Sequence, residues 1–237
     1  MLSHNLKAVI CSPDIYPDSV KKLNSYGIEV LSSCKCENVL PPLSHHTDLQ
    51  IAKIEENLFV CAPQLYEYYN TLLSKFKKKL IKGNTYLSCN YPGDIAYNII
   101  VTGKYAIHNF DHTDDIIKEE IKHKEKINVR QGYTGCTMRL ISENVAITSD
   151  SGIYKILTSK GFDVLFVNDK NILLPGFEHG FFGGSSFMLS PSVLAVNGNI
   201  EFHNDCKAIT DFCSNYGVSV LSLSNECIMD IGSVITL

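Results

Sequence analysis

Residues 137–150 read T-M-R-L-I-S-E-N-V-A-I-T-S-D: an apolar run, the polar pair Glu143-Asn144, a second apolar run, and an aspartate that opens a helical stretch at 152–160. Two strand-like runs separated by a tight polar pair form a hairpin. The pattern recurs. Residues 51–63, I-A-K-I-E-E-N-L-F-V-C-A-P, turn at Glu56-Asn57 and lead to helical 64–76. Residues 98–109, N-I-I-V-T-G-K-Y-A-I-H-N, turn at Gly103-Lys104 before helical 113–123. Residues 192–203, S-V-L-A-V-N-G-N-I-E-F-H, turn at Asn197-Gly198 before helical 205–216. Repetition of one supersecondary unit at such a period predicts a ring or a stack.

A fifth unit is split between the chain ends. Residues 6–11 (L-K-A-V-I-C) resemble the second strand of each hairpin and run through Ser12-Pro13-Asp14 into a helical stretch at 16–26. Gly27 follows, the residue type that closes helices in the left-handed conformation. That unit lacks its first strand, and residues 229–237 (M-D-I-G-S-V-I-T-L) supply one. Completing the first unit with the last strand protects the sheet edges of a closed ring. Helices are predicted near residues 14, 64, 112, 151 and 205, each followed by a short β run at 28–31, 86–89, 127–130, 164–167 and 218–221. The predicted fold is α/β: five β-β-α-β modules with pseudo-fivefold symmetry in one domain spanning 1–237, the termini pairing in one module. The modules run approximately 229–237 plus 6–33, 46–90, 94–131, 135–168 and 182–222.

Composition bounds the function. With 237 residues, 45% hydrophobic and 19% charged, the chain is long enough for a substantial core and globular in character. A net charge of −4 gives no electrostatic pull toward nucleic acid or an anionic membrane. No apolar run approaches the ~20 residues of a membrane span. The first residues lack the basic and apolar regions of a secretory signal. Nine cysteines, an odd number scattered through apolar runs, fit reduced thiols in the cytoplasm. Cys34-x-Cys36 followed by His45-His46 does not match zinc-ligand spacing, so neither metal nor cofactor is expected.

The five modules resemble the pentein fold of the guanidino-group-modifying enzyme superfamily, which includes arginine deiminases, amidinotransferases and dimethylarginine dimethylaminohydrolases. Locally, His46-Thr47-Asp48 is similar to that superfamily's His-x-Asp element. Residues 131–136 (Q-G-Y-T-G-C) and 180–186 (G-F-F-G-G-S-S) resemble a bacterial branch of it. The resemblance implies a nucleophilic Cys near the C-terminus, with the His-x-Asp one module before it. Here His46 lies near the N-terminus instead; Cys227 is the C-terminal candidate, and Cys136 and Cys89 compete with it. The superfamily also holds binding proteins that keep the ring without hydrolysis, among them a ribosomal-subunit anti-association factor. Fold alone does not make an enzyme.

In such a ring the first strands lie nearest the axis, and their polar residues face a shared funnel, the default site for a small polar ligand. A planar guanidinium needs carboxylates that accept paired hydrogen bonds. Asp48, Asp94 and Asp230 come from three modules, with Asn98, Gln131, Tyr133 and Ser185 as further binding candidates. Attack on the guanidinium carbon needs a thiolate and a base, which points to Cys136 or Cys227 with His46, and Asp48 beside them. His46 could equally cap a strand, a lone Cys is more often a small buried hydrophobe, and each Asp could bond only local amides. The glycines at 180–184 lack phosphate-loop spacing and suit close backbone approach at the axis. Two readings follow: a thiol-dependent hydrolase or transferase acting on a guanidino or related cationic amide, or a non-catalytic binding protein that retains the ring. Oligomeric state is left open by the sequence.

Overall fold

The computed structural model describes residues 6–237. Five three-stranded sheets follow one another around the molecule, and each repeats one topology: an antiparallel hairpin, then a helix, then a strand parallel to the hairpin's second strand. The first sheet contains β1 (Ala8–Cys11) and β2 (Glu29–Ser32), joined by α1 (Pro17–Ser25). The second follows a helical turn, α2 (Thr47–Gln50), with β3 (Ile51–Glu55), β4 (Leu58–Cys61), α3 (Tyr66–Ser74) and β5 (Lys79–Lys82). The third comprises β6 (Ile100–Val101), β7 (Tyr105–His108), α4 (Asp115–Glu120) and β8 (Glu125–Asn128). The fourth opens on the turn α5 (Thr134–Thr137), then β9 (Met138–Ser142), β10 (Val145–Thr148), α6 (Ser151–Ser159) and β11 (Asp163–Phe166). The fifth opens on α7 (Phe182–Ser185), then β12 (Ser186–Ser190), β13 (Val193–Val196), α8 (Cys206–Asn215) and β14 (Ser219–Ser222).

The last strand, β15 (Ile235–Thr236), closes the first sheet as the split module requires. It runs antiparallel to β1 with Val9 opposite Thr236 and Ile10 opposite Ile235. The amide of Lys7 donates to the Leu237 carbonyl at 3.1 Å, and that of Leu237 to Ala8 at 2.9 Å. The middle strand of every sheet is largely buried; β1 and β10 are buried at all four positions. These strands read as continuous apolar runs because both of their faces are packed away from water, while the hairpin and parallel partners satisfy their two edges. Cutting the chain after Val234 removes β15 and the buried Leu237, exposing the edge of β1. Such a truncation is expected to lower stability by at least ~3 kcal/mol, from one buried leucine and two or more ladder hydrogen bonds, as read by urea unfolding; an unchanged midpoint would mean the ring does not depend on this closure.

Three local expectations need correction. The third strand of the second module is β5 at Lys79–Lys82; residues 86–89 are an irregular segment with Tyr86 68% exposed. The cause lies at the helix end. Gly27, Gly161 and Gly217 follow α1, α6 and α8 with φ of +76°, +82° and +69°, whereas the position after α3 is Lys77 at +56°. Without a glycine to mark the stop, K-K-K-L-I-K extends the helical pattern and hides the strand. In the fifth module the hairpin turns at Pro191-Ser192 between β12 and β13, so residues 192–196 belong to the second strand and Asn197-Gly198 lies beyond it. Only Ile235–Thr236 of the predicted 229–237 strand pairs as a strand; residues 230–233 form a turn at the axis instead.

Candidate functional site

The turns that precede the five first strands meet one another. The Asp48 amide donates to the Gly232 carbonyl at 3.0 Å, and the amides of Ile231 and Ser233 donate to Gly184 at 3.2 and 2.7 Å. Gly135 donates its amide to Asn98, at 3.3 Å to the main-chain carbonyl and 2.5 Å to Oδ1. A Cβ added to Gly183 would stand 2.5 Å from the carbonyl oxygens of Cys136 and Met138, so only glycine lets α7 lie against α5. The glycine run at 180–184 thus serves close backbone contact, as its sequence suggests. Polar side chains at the axis come from these turns more than from the strands, because a short helical turn aims successive side chains inward where a strand would alternate them.

Cys136 sits at the centre. Its Sγ–H donates to Asp48 Oδ2 at 3.0 Å, and the Asn98 amide nitrogen donates to the sulfur at 3.3 Å. Asp48 Oδ1 is shut off from solvent with no partner among the described residues. Arg139, on β9, reaches across the axis: its Nη2 donates to the Gly183 carbonyl and, at 2.6 Å, to Ser233 Oγ, while its Nε is buried with no partner among the described residues. Asp230 accepts from the amides of Phe181 and Gly232, both at 2.9 Å.

The electrostatics follow from this packing. Burial, reinforced by the Asp48 and Asp230 carboxylates, pushes the Cys136 thiol well above its ordinary value. Burial raises Asp48 as well, against the opposing pull of His46. Asp230 is raised to about 7, chiefly by burial and against the two amides it accepts from. Burial brings Arg139 down to about 10, with the nearby carboxylates opposing that fall. His46 is lowered by burial, so its imidazole is held neutral.

Two cavities flank this cluster. One, of about 270 Å³, is lined by His46, Tyr133, Cys136 and Asp230, with walls from Leu43, Leu49 and the segment 174–181. The other, of about 220 Å³, is lined by Asp48, Lys53, Arg139 and Ser233 and by residues of all five first strands. The Cys136–Asp48 bond therefore lies between them.

The candidates read from sequence separate into groups. His46, Asp48, Cys136, Tyr133 and Asp230 border one or other cavity, and Asn98 touches the sulfur. The thiol meets Asp48 and not His46: no hydrogen bond joins the imidazole to the sulfur, because His46 precedes α2 while Asp48 lies within its turn. Asp94 stands one step back, accepting from Tyr133 Oη at 2.7 Å. Gln131 and Ser185 are spent locally, Gln131 on Asp150 at 3.1 Å and the Tyr133 amide at 3.0 Å, Ser185 on the Phe182 carbonyl at 3.0 Å. Cys227 is exposed, beside Tyr16 and Gly198, and makes no bond to His46 or Asp48. Sequence reasoning missed Arg139 and the wall at 174–181. Arg139 carried a signal: it is one of two arginines in the chain, placed inside the apolar run M-R-L-I.

The whole-chain comparison agrees with this architecture. The model of a family described as "Family of unknown function (DUF6873)" matches residues 10–235. The chain belongs to that family. The DUF6873 chain is also similar in structure to an inosamine-phosphate amidinotransferase from Streptomyces griseus, at TM-score 0.58 and 10% identity, covering 97% of this chain and 93% of that one. An agmatine deiminase from C. jejuni gives 0.57 and 13% over 92% and 88%. A dimethylarginine dimethylaminohydrolase gives 0.57 and 9% over 92% of each chain. These are pentein proteins, and the DUF6873 chain has the pentein fold. No curated protein matches it in sequence. Among the described residues no helix is long and apolar enough to cross a membrane.

Proposed function

We propose that this protein is a thiol-dependent hydrolase or transferase acting on a guanidino or related cationic amidine group, with Cys136 as nucleophile. The observation that carries this is the Cys136 thiol bonded to Asp48 at the edge of a cavity that also holds His46 and Asp230. In the resting state burial, reinforced by the two carboxylates, holds the thiol protonated. A bound guanidinium opposes that field: a cation in this cavity, beside Asp230 and Cys136, offsets the carboxylate charge and favours the thiolate. The thiol proton passes to Asp48, sulfur adds to the guanidinium carbon, and the C–N bond breaks as the leaving amine takes that proton from Asp48. Water or an acceptor amine then gives up a proton and adds to the same carbon, the C–S bond breaks, and the departing thiolate takes up a proton to restore the thiol. His46, neutral by burial, serves as the base for that second addition. The ligand is small; the charge of −4 argues against nucleic acid, and nine unpaired cysteines favour a reducing compartment such as the cytoplasm.

The test is alkylation by chloroacetamidine, a cationic reagent, against neutral iodoacetamide, with adducts mapped by mass spectrometry. Cys136 is expected to react faster with the cation although the exposed Cys89 and Cys227 react faster with iodoacetamide. Cys136 inert to both reagents would leave the binding-protein reading. That second reading draws on the same thiol, held neutral by burial and out of contact with the imidazole.

Asp230 gives the pH dependence. With its carboxyl raised to about 7, it is mostly protonated at pH 6 and ionised at pH 8. Affinity for methylguanidine is expected to rise about tenfold over that interval, one decade per unit below the free-state value, and titration calorimetry at the two pH values reads it directly. The same shift costs stability. A carboxyl whose folded-state value is raised favours the native state at low pH, and that contribution is lost as pH climbs through about 7.

A further inference from the structure

The cavity of about 270 Å³ beside Cys136 has a lining whose chemistry goes beyond accepting a guanidinium. Its acidic groups are Asp230 and Glu178, and no lysine or arginine lines it. Arg139 lies behind the Cys136–Asp48 bond and opens onto the opposite cavity. The basic groups of the wall are the imidazoles of His46, lowered by burial, and of His179, whose Nδ1 lies 2.9 Å from the Gly180 carbonyl oxygen. The remaining surface is carbon: Leu43, Leu49, Leu174, Phe177 and Phe181, with Tyr133 backed by Tyr91 at 5.6 Å between ring centroids.

The wall is also built to stay in place. The Leu173 amide donates to Ile228 at 2.8 Å, the Asp230 amide returns a bond to Leu173 at 2.8 Å, and Gly180 donates to Ile172 at 2.8 Å. Gly176, at φ +91°, turns the chain against Pro42, where a Cβ would come within 2.7 Å of its ring. The turn leaves Phe177 43% exposed at the cavity, an aromatic face held in water for which the core has no use.

Resting on the reading of this site as a guanidine site, we infer that its substrate is a compact guanidine or amidine carrying an apolar, aromatic or alkyl substituent and no carboxylate. A free α-amino-acid carboxylate would lie against Glu178 and Asp230 with no lysine or arginine to meet it, a like-charge contact in a largely desolvated space. An apolar tail instead covers Phe177, Phe181 and Leu174, and its guanidinium faces Asp230 with aromatic rings alongside. At about 270 Å³ the space is below the roughly 300–1,000 Å³ of most ligand pockets, which limits the tail to a single ring or a short chain.

The experiment is titration calorimetry of the intact protein at pH 8 with phenethylguanidine, methylguanidine and arginine. Phenethylguanidine is expected to bind at least about thirtyfold tighter than arginine, which combines loss of apolar contact with an unpaired carboxylate. Phe177→Ala, at an exposed position, should cost phenethylguanidine about fivefold and methylguanidine, which has no tail to cover it, less than about twofold. Arginine binding as tightly as phenethylguanidine would overturn the substrate assignment while leaving the guanidine site standing. Failure of all three to bind would remove the guanidine site itself, and this inference with it.

Discussion

Replacing Cys136 with serine will abolish release of ammonia from phenethylguanidine, by at least about 10⁴-fold in kcat, because no other group at the axis can form the covalent adduct. Asp48→Asn is expected to cost about 10²-fold, the range of a positioned proton acceptor. It removes the acceptor of the Cys136 proton without changing the shape of α2. Cys227→Ser serves as the control: the side chain is exposed, and the variant should retain full activity. Activity lost with Cys227 and kept with Cys136→Ser would move the chemistry to the protein surface and sink the assignment. An ammonia-release assay on the three variants, each checked for a native melting transition, decides among these outcomes.

Arg139→Met is expected to destabilise the fold by about 3 kcal/mol, the lower end of what removing one partner of a buried charge cluster costs. The guanidinium lowers both Asp48 and Asp230, and it bonds the Gly183 carbonyl and Ser233 across the meeting point of three modules. Methionine fills similar volume but leaves both carboxylates uncompensated. The pH dependence separates charge from packing. Without the cation the two carboxyls rise further, so the deficit should be largest at pH 8 and shrink toward pH 5, where protonation relieves it. Urea unfolding at both pH values measures this. A loss under about 1 kcal/mol, equal at both, would mean that Arg139 acts only as packing.

Much of this architecture could be read along the chain because each module carries its own local signals. The hairpin pairs Glu56-Asn57, Gly103-Lys104 and Glu143-Asn144 fall between the strands expected of them. Asp114 and Asp150 cap α4 and α6 by accepting from Ile116 and Ile153. The pairing of residues 235–236 with β1 followed from counting: a module without a first strand and a strand without a module. Misreadings arose where a local signal was missing or displaced, as at Lys77 in place of a glycine and at Pro191-Ser192 in place of Asn197-Gly198.

The site was legible only as a set of residue types. Sequence could name His46, Asp48, Cys136 and Asp230 as chemically able by assigning them to first strands that the repeat brings to one axis; the structure puts them in the turns just before those strands. It could not tell Cys136 from Cys227, because burial, and the angle at which a four-residue turn aims a thiol, depend on which turn packs against which. Nor could it pair that thiol with Asp48 in preference to His46. The partners are 88 positions apart in the chain, and the backbone that carries Cys136 packs on Gly183 of a third module. Arg139 shows the same division. The sequence marks a cation inside an apolar strand, but its counter-charges come from two other modules and exist only once the ring has closed. Strand, turn and cap are set by bonds between near neighbours, whereas ionisation at the axis is a sum over charges that only the closed ring makes neighbours.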